Sequence, residues 1–103
     1  MSVAKFTIGQ IVQHVMFNYR GVIIDVDYKF LGSEEWYEEV ARSRPPKDQP
    51  WYHVLVNDSV HQTYVAERNL ESNKEHETIN HPLLSHYFKG IEKGHYQLRI
   101  RKN

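Results

Sequence analysis

Cysteine is absent from this chain of 103 residues, so the protein can form neither a disulfide nor a thiolate nucleophile. No window approaches the roughly 18 apolar residues of a membrane span, and the N-terminal MSVAKF has no apolar run typical of a signal peptide. The formal net charge is +0, which argues against the basic footprint of most nucleic-acid-binding domains. These absences predict a soluble, cytoplasmic protein.

Signatures of catalysis and of metal binding are also missing. Asp25 and Asp27 alternate on a predicted strand and share a face, as acid–base chemistry would require, but no nucleophile lies near them in sequence. His76, His81 and His86 are five residues apart, whereas ligands on one helical face need a spacing of three or four. We therefore predict a protein that is not an enzyme, with no catalytic residue, no cofactor and no metal site.

What the chain does contain is aromatic and β-branched residues in short runs, and its aromatic fraction of 13% is enough for one small core. The length predicts a single domain over residues 1–103. A last strand follows from Tyr96, Leu98 and Ile100, which alternate with polar residues. Four earlier strands are predicted at residues 11–15, 22–27, 51–56 and 60–65.

The segments between the strands carry turn and helix signals. Ser33 can cap a helix whose first turn is acidic, which predicts a helix over residues 34–42. Residues 66–70 are predicted to form a turn or one helical turn, residues 71–80 a mobile linker, and residues 81–88 a short helix. The predicted fold is mainly β: a small SH3-like barrel of about five antiparallel strands, one short helical insertion, and a short C-terminal helix plus strand.

The third strand leaves two interpretations open. Strict alternation places Trp51, His53 and Leu55 on one face and Tyr52, Val54 and Val56 on the other. The outward face then presents either Trp51 and His53 or Tyr52, where an aromatic ring can bind a partner. Alternatively, Trp51 covers the end of the barrel against the proline-rich linker.

Several segments, taken together and in order, resemble the YccV-like family, also called the HspQ family of heat-shock and hemimethylated-DNA-binding proteins. The segments are KFTIGQIVQH at residues 5–14, YRGVIIDVD at 19–27, PWYHVLV at 50–56 and YVAERNL at 64–70. The resemblance implies a family core at residues 5–70 and a C-terminal extension at residues 71–103. It also implies a small β-barrel without enzyme activity and a homo-oligomer, namely a trimer.

The resemblance implies two functions from different classes. In the first, the protein is a stress-response adaptor that modulates proteolysis of selected or denatured proteins, including the replication initiator DnaA, by an ATP-dependent protease of the Lon type. In the second, it binds hemimethylated double-stranded DNA near the replication origin. Because the net charge is zero and no groove-entering helix is evident, the sequence favours the adaptor.

Candidate residues follow for each function. For the adaptor, Glu67 and Asn69 can anchor a partner's backbone beside exposed aromatic residues. For DNA, basic side chains would contact phosphates. The partner-binding candidates are Trp51, Tyr52, His53, Tyr64, Glu67 and Asn69, and the DNA-binding candidates are Arg20, Arg99, Arg101 and Lys102.

Overall fold

The computed structural model describes residues 3–73, 75 and 77–99. In these residues the chain forms seven β-strands, two α-helices and one 3-10 helix. Neither α-helix is long and apolar enough to cross a membrane. In chain order the elements are β1 (Ile11–His14), β2 (Arg20–Asp27), α1 (Glu34–Val40), β3 (Trp51–Val56), β4 (Gln62–Ala66), the 3-10 helix (Glu67–Asn69), β5 (Leu70–Ser72), α2 (Leu84–Tyr87), β6 (Phe88–Glu92) and β7 (His95–Leu98).

Five antiparallel strands form the main sheet, in the order β4-β3-β2-β1-β5, which confirms the mainly β prediction. The expectation of a closed barrel is wrong in detail. The edge strands β4 and β5 do not pair with each other in the part of the chain that is described, so the sheet stays open. The fifth strand is β5, which the sequence did not indicate, whereas the predicted C-terminal strand β7 pairs with β6 in a separate two-stranded sheet.

Both faces of the main sheet are buried along residues 22–24 of β2 and residues 54–55 of β3, which explains the continuous apolar runs there. On one face, Ile23 and Tyr52 pack in a cluster. On the other, Val22 and Leu55 pack against Phe88 from the C-terminal hairpin. Strict alternation between core and solvent therefore fails in β3, because each face of that strand meets its own cluster.

The C-terminal segment is part of the core. Ile79 is buried, and its backbone N–H donates to the Tyr96 hydroxyl at 2.8 Å. Asn80 adds backbone and side-chain hydrogen bonds to Asn57 and Asp58 in the β3–β4 turn. The prediction that residues 71–80 form a mobile linker is therefore wrong for residues 77–80, and β5 takes up residues 71 and 72.

Helix α1 covers the end of β3 that carries Trp51. The Ser33 Oγ accepts from the backbone N–H of Trp36 at 3.1 Å, which confirms the predicted cap. The helix ends at Val40, two residues earlier than predicted, and Tyr37 is its buried side chain. The Tyr37 hydroxyl donates to the Pro45 carbonyl at 2.7 Å, so the proline-rich segment is held under the helix.

Candidate functional site

Trp51 and Tyr52 are core residues. Trp51 is 1% exposed and Tyr52 is 0% exposed, so the prediction that one of them points outward is wrong. The Trp51 indole donates to the Pro46 carbonyl at 3.0 Å. The alternative interpretation, in which Trp51 packs against the proline-rich linker, is the one the structure confirms.

The Glu67 carboxylate is hydrogen-bonded within the protein. Its Oε2 accepts from the Tyr52 hydroxyl at 2.6 Å and from the backbone N–H of Lys5 at 2.9 Å. The same hydroxyl accepts from the backbone N–H of Phe6 at 3.3 Å. Burial, and then the hydrogen bond to Glu67, raise the pKa of Tyr52. Glu67 therefore fixes the N-terminal segment to the sheet instead of presenting its carboxylate to a partner.

His53 and Tyr64 are half-buried and share a contact with Asp27 on the surface of the sheet. The Asp27 Oδ2 lies 3.1 Å from the His53 Nε2 and accepts from the Tyr64 hydroxyl at 2.7 Å. Burial, and then the hydrogen bond to Asp27, raise the pKa of Tyr64. The His53 and Tyr64 rings lie 4.6 Å apart between centroids. Of the six partner-binding candidates, these two form a polar, solvent-reaching cluster.

An apolar groove runs between the β1–β2 turn and α1. Its cavity is about 150 Å³ in volume. Three hydrophobic side chains at the groove are unusually exposed: Met16 at 56%, Phe17 at 72% and Val40 at 54%. Of the candidates predicted from sequence, Trp51, Tyr64 and Asn69 line the groove. Met16 and Phe17 were not among the candidates predicted from sequence, although two apolar residues just after the predicted strand at residues 11–15 were a usable signal.

His14 shapes the turn that carries this groove. The ring is buried, and its Nδ1 accepts from the backbone N–H groups of Met16 and Phe17, each at 3.1 Å. Asn18 completes the turn with a φ of 56°. The Asn69 carbonyl accepts from the backbone N–H of Val15 at 2.9 Å, which ties the turn to the 3-10 helix. Burial lowers the pKa of His14, so the neutral ring is the form that fits.

Two of the four basic candidates, Arg20 and Arg99, lie within the described residues. The Arg20 guanidinium donates to the Glu77 carbonyl, and its buried Nε has no hydrogen-bond partner within the described residues. The Arg99 Nε donates to the Ser85 carbonyl at 2.6 Å. Arg101 and Lys102 lie outside the described residues. The two basic side chains that can be located are therefore each held by a backbone carbonyl.

Of the three histidines considered as metal ligands, His81 is hydrogen-bonded within the protein. The His81 Nδ1 accepts from the Leu83 backbone N–H at 3.1 Å, and the Nε2 lies 3.0 Å from the His61 carbonyl. Both ring nitrogens of His81 are therefore engaged within the protein. His76 lies outside the described residues.

The open five-stranded sheet and the separate two-stranded sheet define a small, mainly β domain with a surface groove. A family model described as "Hemimethylated DNA-binding protein YccV like" matches residues 4–95, and the chain belongs to this YccV-like family. The match covers the five-stranded sheet, α2 and β6, and ends at His95, the first residue of β7. The family description names DNA binding, which is the second of the two functions implied by the resemblance.

Proposed function

We propose that this protein is a non-enzymatic adaptor that binds apolar segments of other proteins in the groove between the β1–β2 turn and α1. One observation carries the proposal: Met16, Phe17 and Val40 are all more than half exposed around a single apolar cavity. Exposed apolar side chains that cluster at a concave surface are typical of protein-binding sites. A denatured protein supplies the matching ligand, because its apolar side chains are accessible.

Charge around the groove supports a protein ligand. Glu35 and Glu39 are exposed on α1 next to Val40, while Glu38 pairs with Arg44 and the exposed Arg42 also lines the groove. The carboxylates of Glu35 and Glu39 repel a phosphate backbone and attract the lysine and arginine residues that flank apolar segments in many proteins. The zero net charge of the whole chain removes the general attraction to nucleic acid that a basic domain has.

The finer proposal concerns the proteolytic partner. The YccV-like resemblance supports an adaptor that brings selected or denatured proteins, including DnaA, to an ATP-dependent protease of the Lon type. In this proposal the adaptor works in the cytoplasm under stress. It acts as a homo-oligomer, a trimer, so that several grooves act on one substrate and raise its effective affinity.

A degradation assay tests this proposal directly. Purified Lon-type protease is given DnaA or a heat-denatured protein, with and without the adaptor, and substrate loss is followed over time. We expect the adaptor to change the degradation rate. The paired substitutions Met16→Ser and Phe17→Ser remove the apolar rim and should abolish the change. Val60→Ser is the matched control, because Val60 is 75% exposed but does not line the groove.

Two results would contradict the adaptor. One is an unchanged degradation rate with every substrate, combined with no binding of protease or substrate to the wild-type protein. The other is equal loss of activity in Val60→Ser and in the groove variant, which would show a general effect of surface hydrophobicity. Light scattering on the purified protein measures the oligomer separately, and a monomer at working concentration would remove the trimer from the proposal.

Binding to hemimethylated DNA is the second candidate, and the family description is the observation that favours it. In this case Arg20, Arg99, Arg101 and Lys102 would contact phosphates, and affinity would fall steeply with salt. A gel-shift titration compares hemimethylated with fully methylated duplexes of one sequence. Tighter binding to the hemimethylated duplex supports this function, whereas equal and weak binding to both removes the specific claim.

A further inference from the structure

A polar cluster lies in a gap on one face of the main sheet. On that face of β3, Leu55 packs in the cluster that contains the C-terminal hairpin, and Trp51 packs in the cluster under α1. His53 lies between them in sequence and is half-buried. Both ends of β3 are therefore covered on this face, whereas the His53 side chain between them stays partly accessible to solvent.

A β-bulge brings two carboxylates to His53. The register of β2 against β3 passes from Ile23 opposite Val54 to Asp25 opposite His53, so Ile24 has no partner strand residue. Because of this extra residue, Asp25 lies directly across from His53. Asp27 follows two positions later on the same strand and reaches the same imidazole.

The three side chains have the spacing of ligands to a common ion. One ligand atom from each of Asp25, Asp27 and His53 lies within 4.8 Å of the others. The His53 Nε2 and the Asp27 Oδ2 are 3.1 Å apart. Bonds of about 2.1 Å to a metal place neighbouring ligand atoms about 3.0–3.4 Å apart, so this pair needs almost no movement. The exposed Asp25 side chain can rotate so that one of its carboxylate oxygens reaches the same ion.

Neighbouring groups orient the Asp27 carboxylate. The Tyr64 hydroxyl donates to its Oδ2 at 2.7 Å, and the Leu31 backbone N–H donates to the same hydroxyl at 3.0 Å. Hydrogen bonds of this kind fix a ligating carboxylate before the ion arrives. A cavity of about 300 Å³, lined by Asp27, His53 and Tyr64, leaves room for water at the remaining coordination positions.

We propose that Asp25, Asp27 and His53 form a site for a divalent transition-metal ion of the zinc and nickel type. One imidazole nitrogen with carboxylate oxygens favours these ions over magnesium and calcium, which prefer oxygen ligands alone. The neutral His53 ring binds through Nε2 in the tautomer that carries its proton on Nδ1, and a doubly protonated ring releases one proton to solvent when the ion binds. None of the three ligands lines the apolar groove, although Tyr64 borders both places, and the test of the site involves no protein partner.

Calorimetric titration of the full chain with Zn²⁺ tests the site, with Mg²⁺ as the comparison ion. We expect one Zn²⁺ per chain and much weaker binding of Mg²⁺. His53→Gln and Asp27→Asn should each weaken Zn²⁺ binding at least tenfold. Asp25→Asn, at an exposed position, should weaken Zn²⁺ binding as well. Cobalt(II) gives a second readout, because its visible absorption changes when an imidazole joins the coordination shell.

Two controls separate this site from the other histidines. His86→Asn changes an exposed histidine outside the cluster and should bind Zn²⁺ like the wild type. Tyr64→Phe keeps the ring but removes the hydrogen bond to Asp27, and should weaken binding about 10–100-fold. Zinc affinity weaker than about 1 mM in the wild type would overturn the proposal. So would loss of binding in His86→Asn together with retention in His53→Gln.

Discussion

The Nδ1 of His14 lies 3.1 Å from the backbone nitrogen of Phe17 and accepts its N–H, while the imidazole stacks against the Phe17 ring at 4.7 Å between centroids. One histidine therefore fixes both the backbone and the side chain at the apolar rim of the groove. The arrangement requires an unprotonated Nδ1, because a second N–H at that atom would face two backbone donors.

Stability should fall on acidification because of His14. Its pKa is lowered in the folded state from the ordinary value of 6.5, so the unfolded chain binds the proton more readily. The stabilisation is present above pH 6.5 and is lost as the pH falls through the lower pKa of the folded state. Urea unfolding at a series of pH values measures this loss. His14→Gln should lower stability at neutral pH and flatten the decline.

His86→Asn is the control for this titration, since it removes an exposed histidine and keeps the turn. It should follow the wild-type pH profile. If His14→Gln shows the same acid-induced loss of stability as the wild type, the decline belongs to other groups and the role assigned to His14 is wrong.

Gly9 should tolerate no side chain. Its φ is +94°, and a Cβ there would overlap the Tyr96 carbonyl oxygen. Its own carbonyl accepts from the Tyr96 backbone N–H at 2.9 Å, so the residue joins β1 to the C-terminal hairpin. We expect Gly9→Ala to lower the free energy of unfolding by about 1–3 kcal/mol from the backbone conformation alone. The steric overlap adds to this loss.

Gly90→Ala is the matched control, because a Cβ at Gly90 meets no atom within 4 Å. Chemical denaturation of both variants gives the comparison. Equal stability of Gly9→Ala and the wild type would contradict the close approach of β1 and the hairpin.

Local signals in the sequence were sufficient for several elements. The bounds of β3 match the run of β-branched and aromatic residues, and Ser33 caps α1, because both features depend on neighbours in the chain. The 3-10 helix was likewise expected from residues 66–70. Each of these depends on the preferences of adjacent residues, which sequence patterns report directly.

Contacts between residues far apart in the sequence determine the features that the sequence did not indicate. β5 has only three residues and forms because Leu70 meets His14 of β1, which no local pattern indicates. Ile79 follows a polar stretch, so the sequence did not indicate that it is buried. Its hydrogen-bond partner, Tyr96, lies 17 positions away. For the proposed metal site, the sequence indicated that Asp25 and Asp27 share one face of a strand. Their approach to His53 depends on the bulge at Ile24, which sequence alone did not reveal.

Ile79 gives a direct measure of how firmly the segment before α2 is packed. It is 4% exposed and packs in the cluster of the C-terminal hairpin. Ile79→Ala should lower the free energy of unfolding by about 2–5 kcal/mol, as is usual for a buried large-to-small change. Ile91→Ala is the control, because Ile91 is 38% exposed on β6. A loss in Ile79→Ala no larger than that in Ile91→Ala would place Ile79 outside the core.

The hydrogen bond between Tyr52 and Glu67 should be a main support of the N-terminal segment. The carboxylate is largely buried and accepts from two donors, so Tyr52→Phe leaves it with the Lys5 N–H alone. Bonds to charged groups contribute about 1.5–3 kcal/mol, and we expect a loss of that size in urea unfolding. Tyr28→Phe, at a tyrosine that is 66% exposed, should change stability by less than about 0.5 kcal/mol.

Amide hydrogen exchange shows which backbone N–H groups lose protection in Tyr52→Phe. The backbone N–H of Lys5 bonds Glu67, and that of Phe6 bonds the Tyr52 hydroxyl, so both should exchange faster in Tyr52→Phe. The Ile79 N–H, which bonds Tyr96 in a different cluster, should keep its protection relative to global unfolding. Unchanged exchange at Lys5 and Phe6 would show that Glu67 holds the N-terminal segment without help from Tyr52.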